Sequence, residues 1–65
     1  MESLTQREAM VLDYLKQGYE NHEIAEKIFV STHTVKVHVS SIIRKMEARN
    51  RTHLVYIAMK RGLID

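Results

Sequence analysis

The 65-residue sequence has no cysteine, no proline and no tryptophan, and only two glycines and one phenylalanine. Without cysteine there are no disulfide staples and no thiolate metal site, and the absence fits a reducing compartment. Without proline, and with so little glycine, a loop-rich or all-β domain is disfavoured. No apolar run approaches the roughly 18 residues needed to cross a bilayer, and no charged-then-apolar leader opens the chain. Hydrophobic residues make up 45% and charged residues 28%, which is globular usage rather than that of a disordered tail. A chain this short forms one domain and buries only about 60% of its unfolded surface. The composition therefore describes one small, mostly helical module of residues 1–65.

The net charge is +2, but it is unevenly spread. Residues 1–30 carry Arg7, Lys16 and Lys27 against Glu2, Glu8, Asp13, Glu20, Glu23 and Glu26. Residues 31–51 carry Lys36, Arg44, Lys45, Arg49 and Arg51 against Glu47 alone. An acidic half followed by a basic half suggests a face that meets a polyanion, and a solvated surface with chance clustering is the bland alternative. The acidic residues of the first half read as caps and a solvated face, not as a paired-carboxylate site.

Local signals predict an all-α domain with helices at about 6–17, 22–28, 32–46 and 51–61. Thr5 and Glu8 form a capping box, with Leu4 and Ala9 spaced as a weak staple. Val11, Leu12 and Leu15 make the first apolar stripe, and Gly18 stops the helix. Asn21 is placed to cap a short second helix carrying Ile24, Ala25 and Ile28, which Phe29-Val30-Ser31 interrupts. Ser31 caps the third helix, where Val35, Val39, Ile42 and Met46 form one buried face. Val35, Val37 and Val39 also alternate as in a strand, but the longer pattern through Met46 favours a helix. Asn50 caps the fourth helix, which ends at Gly62. Asn50-Arg51-Thr52 also fits an N-glycosylation pattern, which the cap reading and the lack of a secretion signal discount.

At about 100° per residue, His33, Val37, Ser40 and Arg44 fall opposite the core side of the third helix, with Lys36 and Ser41 at the edges. This face is basic, polar and short-chained except for Val37, which has the size to touch a thymine methyl in a major groove. The second and third helices, with small Ala25 where they would cross, form a helix-turn-helix pattern. Such a pair lays its first helix over the DNA backbone and its second in the groove. The four histidines lack metal-ligand spacing, and no phosphate-cradling glycine loop or catalytic signature occurs, so neither a metal, a cofactor nor an enzyme is expected. In the fourth helix, Leu54, Ile57 and Ala58 face the core. Thr52, Val55, Tyr56 and Met59 form a second stripe suited to pairing with another copy, or else to packing on a further domain.

Leu4-Thr5-Gln6-Arg7-Glu8, Gly18, Asn21 with Glu23-Ile24-Ala25, Ser31 with Thr34-Val35-Lys36, His38, Ile42, Lys45, Arg51 and Gly62-Leu63-Ile64 together resemble the LuxR-type (NarL/FixJ-type, GerE-like) domain of bacterial transcription regulators. The resemblance spans Leu4 to Ile64. It implies a four-helix domain that binds promoter DNA as a dimer, either alone or behind a receiver or sensor domain, in the cytoplasm. Lys36, Val37 and Ser40 then stand where the family reaches base edges, and Arg44, on the same outward face, is expected to contact bases with them. Thr34, His38 and Lys45 stand where it meets phosphates, and His38 also reads as a packing residue. Glu47-Ala48-Arg49 replaces the more usual Leu-Gly-Val type of link. Expected partners are duplex promoter DNA, a second copy through the last helix, and RNA polymerase, with no membrane. The rival functional class is a helix-turn-helix scaffold serving as a protein-binding adaptor, against which Lys36 and Arg44 argue. A promoter-reading region of a sigma factor would share the geometry but matches the whole-chain pattern less well.

Overall fold

A computed structural model describes residues 3–62 as four helices, α1 (Gln6–Lys16), α2 (Asn21–Ile28), α3 (Thr32–Lys45) and α4 (Arg51–Lys60). Leu63 and Ile64, which close the sequence pattern, lie outside the described residues. The predicted all-α, helix-turn-helix order holds, and the ends shift by one residue.

Each helix begins where a side chain can satisfy its free N–H groups. Thr5 Oγ1 accepts from the Glu8 N–H at 3.1 Å while Glu8 Oε1 accepts from the Thr5 N–H at 2.9 Å, completing the capping box. Ser31 Oγ accepts from the Thr34 N–H at 3.1 Å, and Asn50 Oδ1 from the His53 N–H at 2.8 Å. In α2 the expected cap moves back by one residue. Glu20 precedes the helix and its N–H donates to Glu23 Oε1 at 2.8 Å, while Asn21 is the first helical residue. The Asn21 side-chain amide oxygen, Oδ1, is taken by Arg51 instead.

Two turns use left-handed backbone without glycine. Phe29 ends α2 at φ 59°, and the residue is 91% exposed. Glu47 follows α3 at φ 55°. Gly18, at φ 90°, ends α1 as its position foretold.

The core joins Val11, Leu12 and Leu15 of α1, Ile24, Ala25 and Ile28 of α2, Val35, Val39 and Ile42 of α3, Met46, and Leu54 and Ala58 of α4. Leu4 packs against this core, but Ala9 is exposed, so Ala9 adds little to the proposed staple. Helix α3 packs against α1, α2 and α4 and is thus clamped along its inner side. Its outer side is left to solvent, and that side positions the site.

Candidate nucleic-acid interface

Helix α3 buries Val35, Val39 and Ile42, so its remaining side must hold whatever the core cannot use. Lys36, Val37, Ser40 and Arg44 are all exposed there, Val37 by 53%. Lys36 also lines a cleft with His22, Asn21, Thr32 and Arg51, which places cationic and hydrogen-bonding groups beside the start of α2. This is a surface able to neutralise phosphates and to offer donors and a methyl-sized apolar contact to base edges.

Three other residues flank this face. Thr34 is half-buried, and its Oγ1 accepts from Ser31 Oγ at 3.0 Å, so it does support the helix start. His38 is half-buried, as a residue shared between packing and surface would be. Lys45, expected at a phosphate, also has a partner within the protein. Its ammonium lies 2.7 Å from Glu8 Oε1, and its side chain is only 13% exposed. The structure thus gives that charge a partner inside the protein.

Glu8, read from the sequence as one half of a capping box, is that and also a buried partner for α3. Its residue exposure is 5%. Besides capping α1, it accepts from Ser41 Oγ at 2.7 Å through Oε2. Burial by itself raises the pKa of this carboxyl, but the hydrogen bonds from Lys45, the Thr5 N–H and Ser41 and the Lys45 charge outweigh it, lowering the pKa to about 2. One carboxylate therefore holds two residues on successive turns of α3 against α1. A signal was present in the sequence, because Glu8 sits three, four and seven residues before Val11, Leu12 and Leu15, on the buried stripe. A charge on such a stripe calls for a buried partner.

Arg51 is a second tie. Its Nη2 donates to the Tyr19 carbonyl at 2.7 Å and its Nη1 to Asn21 Oδ1, joining the root of α4 to the corner that enters α2. Lys27 lies 4.9 Å from the centre of the Tyr19 ring, and Tyr14 meets that ring edge-on at 5.4 Å. This packing fixes the corner beside Lys36.

On α4 the second stripe is mixed. Thr52, Tyr56 and Met59 are exposed, the last two by 58% and 56%, whereas Val55 is half-buried against the core. Tyr56 is flanked by the stacked His53 ring at 6.5 Å and the Lys60 ammonium at 5.6 Å. Among the described residues no three His, Asp or Glu side chains gather to hold a metal. No described helix is long and apolar enough to cross a membrane.

Comparison with known proteins agrees with this geometry. The pattern of "Bacterial regulatory proteins, luxR family" matches residues 2–58. The uncharacterized transcriptional regulatory protein YxjL of Bacillus subtilis is 44% identical over 64 residues, covering 98% of this chain and 29% of that protein. The oxygen regulatory protein NreC of Staphylococcus carnosus is 42% identical over 62 residues, covering 95% of this chain and 29% of that protein. The response regulator protein VraR of Staphylococcus aureus is 43% identical over 64 residues, covering 98% and 31%. Among solved structures, the response regulator ChrA of a heme-sensing two-component system superposes with a TM-score of 0.90 at 38% identity, over 98% of this chain and 32% of that one. The chain thus spans less than a third of these relatives' length. The family is one of DNA-binding transcription regulators rather than enzymes. With its four helices, capped helix-turn-helix and match over most of its length, the chain belongs to the luxR family of bacterial regulatory proteins.

Proposed function

We propose that this domain reads promoter DNA by laying α3 in the major groove, as a transcription regulator acting in the bacterial cytoplasm. The observation that carries the reading is the outward face of α3, where Lys36, Val37, Ser40 and Arg44 stand exposed on a helix clamped along its other side. Lys36, Val37 and Ser40 reach base edges, with Val37 against a thymine methyl. Arg44, Thr34 and His38 approach the flanking strands and set the register. Lys45 lies behind them, and because Glu8 already neutralises it, its share of the salt dependence is smaller than that of an unpartnered cation on a phosphate.

Two copies pair through Thr52, Val55, Tyr56 and Met59 of α4 around a two-fold axis. They then occupy half-sites about one helical turn, roughly 34–36 Å, apart. The short span of the chain on its response-regulator relatives supports an effector role behind a receiver domain in a longer regulator. RNA polymerase is the downstream partner in this reading.

Titration of specific and random duplexes at several salt concentrations tests the groove assignment. Lys36→Ala is expected to lose discrimination between sites. Unchanged discrimination by Lys36→Ala overturns it.

A further inference from the structure

The outward stripe of α3 begins at His33, one turn before Lys36 and Val37. His33 is the second residue of the helix and is exposed. It precedes Val37 by four residues, Ser40 by seven and Arg44 by eleven, so the four side chains rise along one line of the helix surface. Lys36, three residues on, flanks the same line.

Two observations separate His33 from the scaffold. The helix start is already satisfied by Ser31, whose Oγ accepts from the Thr34 N–H and donates to Thr34 Oγ1. Among the described residues, no hydrogen bond, ion pair or ring contact engages the His33 imidazole. The side chain therefore keeps its hydrogen-bonding capacity for something outside the protein.

Length decides which part of the stripe can reach bases. Helix α3 has 14 residues and so measures about 21 Å, whereas the major groove is about 12 Å wide. A straight helix crossing that groove cannot keep every turn on the base edges, and the N-terminal turns of a recognition helix are the ones that do. From His33 to Ser40 the rise is about 10.5 Å, which fits within the groove. From His33 to Arg44 it is about 16.5 Å, which carries Arg44 out to a sugar–phosphate strand. His33 thus falls on the base-reading side of the limit and Arg44 beyond it.

We infer that His33 is a further specificity-determining residue, whose imidazole N–H donates to the N7 of a purine. N7 is an acceptor presented in the major groove by both adenine and guanine and by neither pyrimidine. One imidazole donor therefore selects purine over pyrimidine at a single position of each half-site. The inference rests on the placement of α3 in the groove proposed above.

The test is selection of bound duplexes from a random pool by the wild-type chain, by His33→Ala and by Lys36→Ala. Wild type is expected to select a purine at a position beside those that Lys36→Ala relaxes, and His33→Ala to lose that preference alone. A 7-deazapurine at that position, which pairs normally but lacks N7, should weaken wild-type binding about three- to tenfold and leave His33→Ala unaffected. His33→Gln keeps a donor and should retain the purine preference. Helical circular dichroism of each variant separates lost contact from lost fold. The inference is overturned if the purine preference survives in His33→Ala, or if the deazapurine weakens both proteins equally. It is also overturned if His33→Ala weakens every duplex alike and flattens the salt slope, the signature of a phosphate contact. If Lys36→Ala loses discrimination and His33→Ala does not, only the His33 assignment falls. If neither variant changes the selected sites, the groove placement itself falls.

Discussion

The ammonium of Lys45 and the carboxylate of Glu8 meet at 2.7 Å across 37 residues of sequence, both largely shielded from water. The pair fixes the last turns of α3 to the first turn of α1, and Ser41 completes it from the preceding turn. Removing one partner strands the other. Glu8→Gln is expected to lower unfolding stability by about 2 kcal/mol, less than for a fully buried pair because Lys45 retains some exposure. Glu8→Gln combined with Lys45→Met should recover part of that loss. Urea unfolding of the single and double variants measures both.

The same carboxylate sets the acid behaviour. Its folded pKa, about 2, lies below the unfolded value of 4.5, so the unfolded chain binds the proton more readily. The stabilisation is complete above pH 4.5 and is lost as pH falls through about 2. Unfolding midpoints of wild type should therefore drop across that window more steeply than those of Glu8→Gln. Equal slopes would count against the buried pair.

Phe29 and Glu47 hold left-handed backbone at a cost that glycine avoids. Glycine in turn loses more chain entropy on folding, which offsets part of the gain. Phe29→Gly sacrifices little burial, since the residue is 91% exposed. Each of Phe29→Gly and Glu47→Gly is expected to stabilise by about 0.5 kcal/mol, a rise in melting temperature of roughly 2–4 °C. Differential scanning calorimetry would register it.

Pairing through α4 is open to a direct test. Met59→Asp places a charge on the exposed stripe beside Tyr56 and should abolish concentration-dependent self-association while leaving the monomer folded. Sedimentation equilibrium of both proteins, with and without duplex, provides the measurement. Identical masses for wild type and variant at every concentration would remove the self-pairing interface.

Comparison of the two lysines tests how far an internal partner mutes a charge. Lys36→Ala should lose discrimination between sites with the salt slope little changed. Lys45→Ala should flatten the slope, but by less than the roughly one unit of an unpartnered phosphate contact, because Glu8 already balances its charge. Lys45→Ala should also lose stability, which Lys36→Ala should not.

The parts of the fold that local rules govern were legible in the sequence. Thr5 with Glu8, Ser31, Asn50 and Gly18 mark helix ends through groups within four residues of one another, and the periodicity of Val35, Val39, Ile42 and Met46 marks the buried side of α3. The exposure of Lys36, Val37, Ser40 and Arg44 followed from the same periodicity. Less legible were the partners of long polar side chains. Glu8 reaches residues 33 and 37 positions away, and Arg51 reaches Asn21 and Tyr19 across 30 and 32. No short-range rule encodes such pairs, so Asn21 read as a cap and Lys45 as a surface cation. Lys45 lies only about 80° round the helix from Val35, on the core's flank rather than opposite it.

The stripe of Lys36, Val37 and Ser40 carries none of the scaffold's own support: these side chains are exposed, and α3 is held from beneath by Glu8, Ser31 and the apolar core. Exchanging residues there leaves folding nearly untouched. A gene for such a domain can accordingly drift from one operator to another by single steps, each intermediate remaining a well-folded protein, with its evolvable surface and its rigid interior kept as separate inheritances.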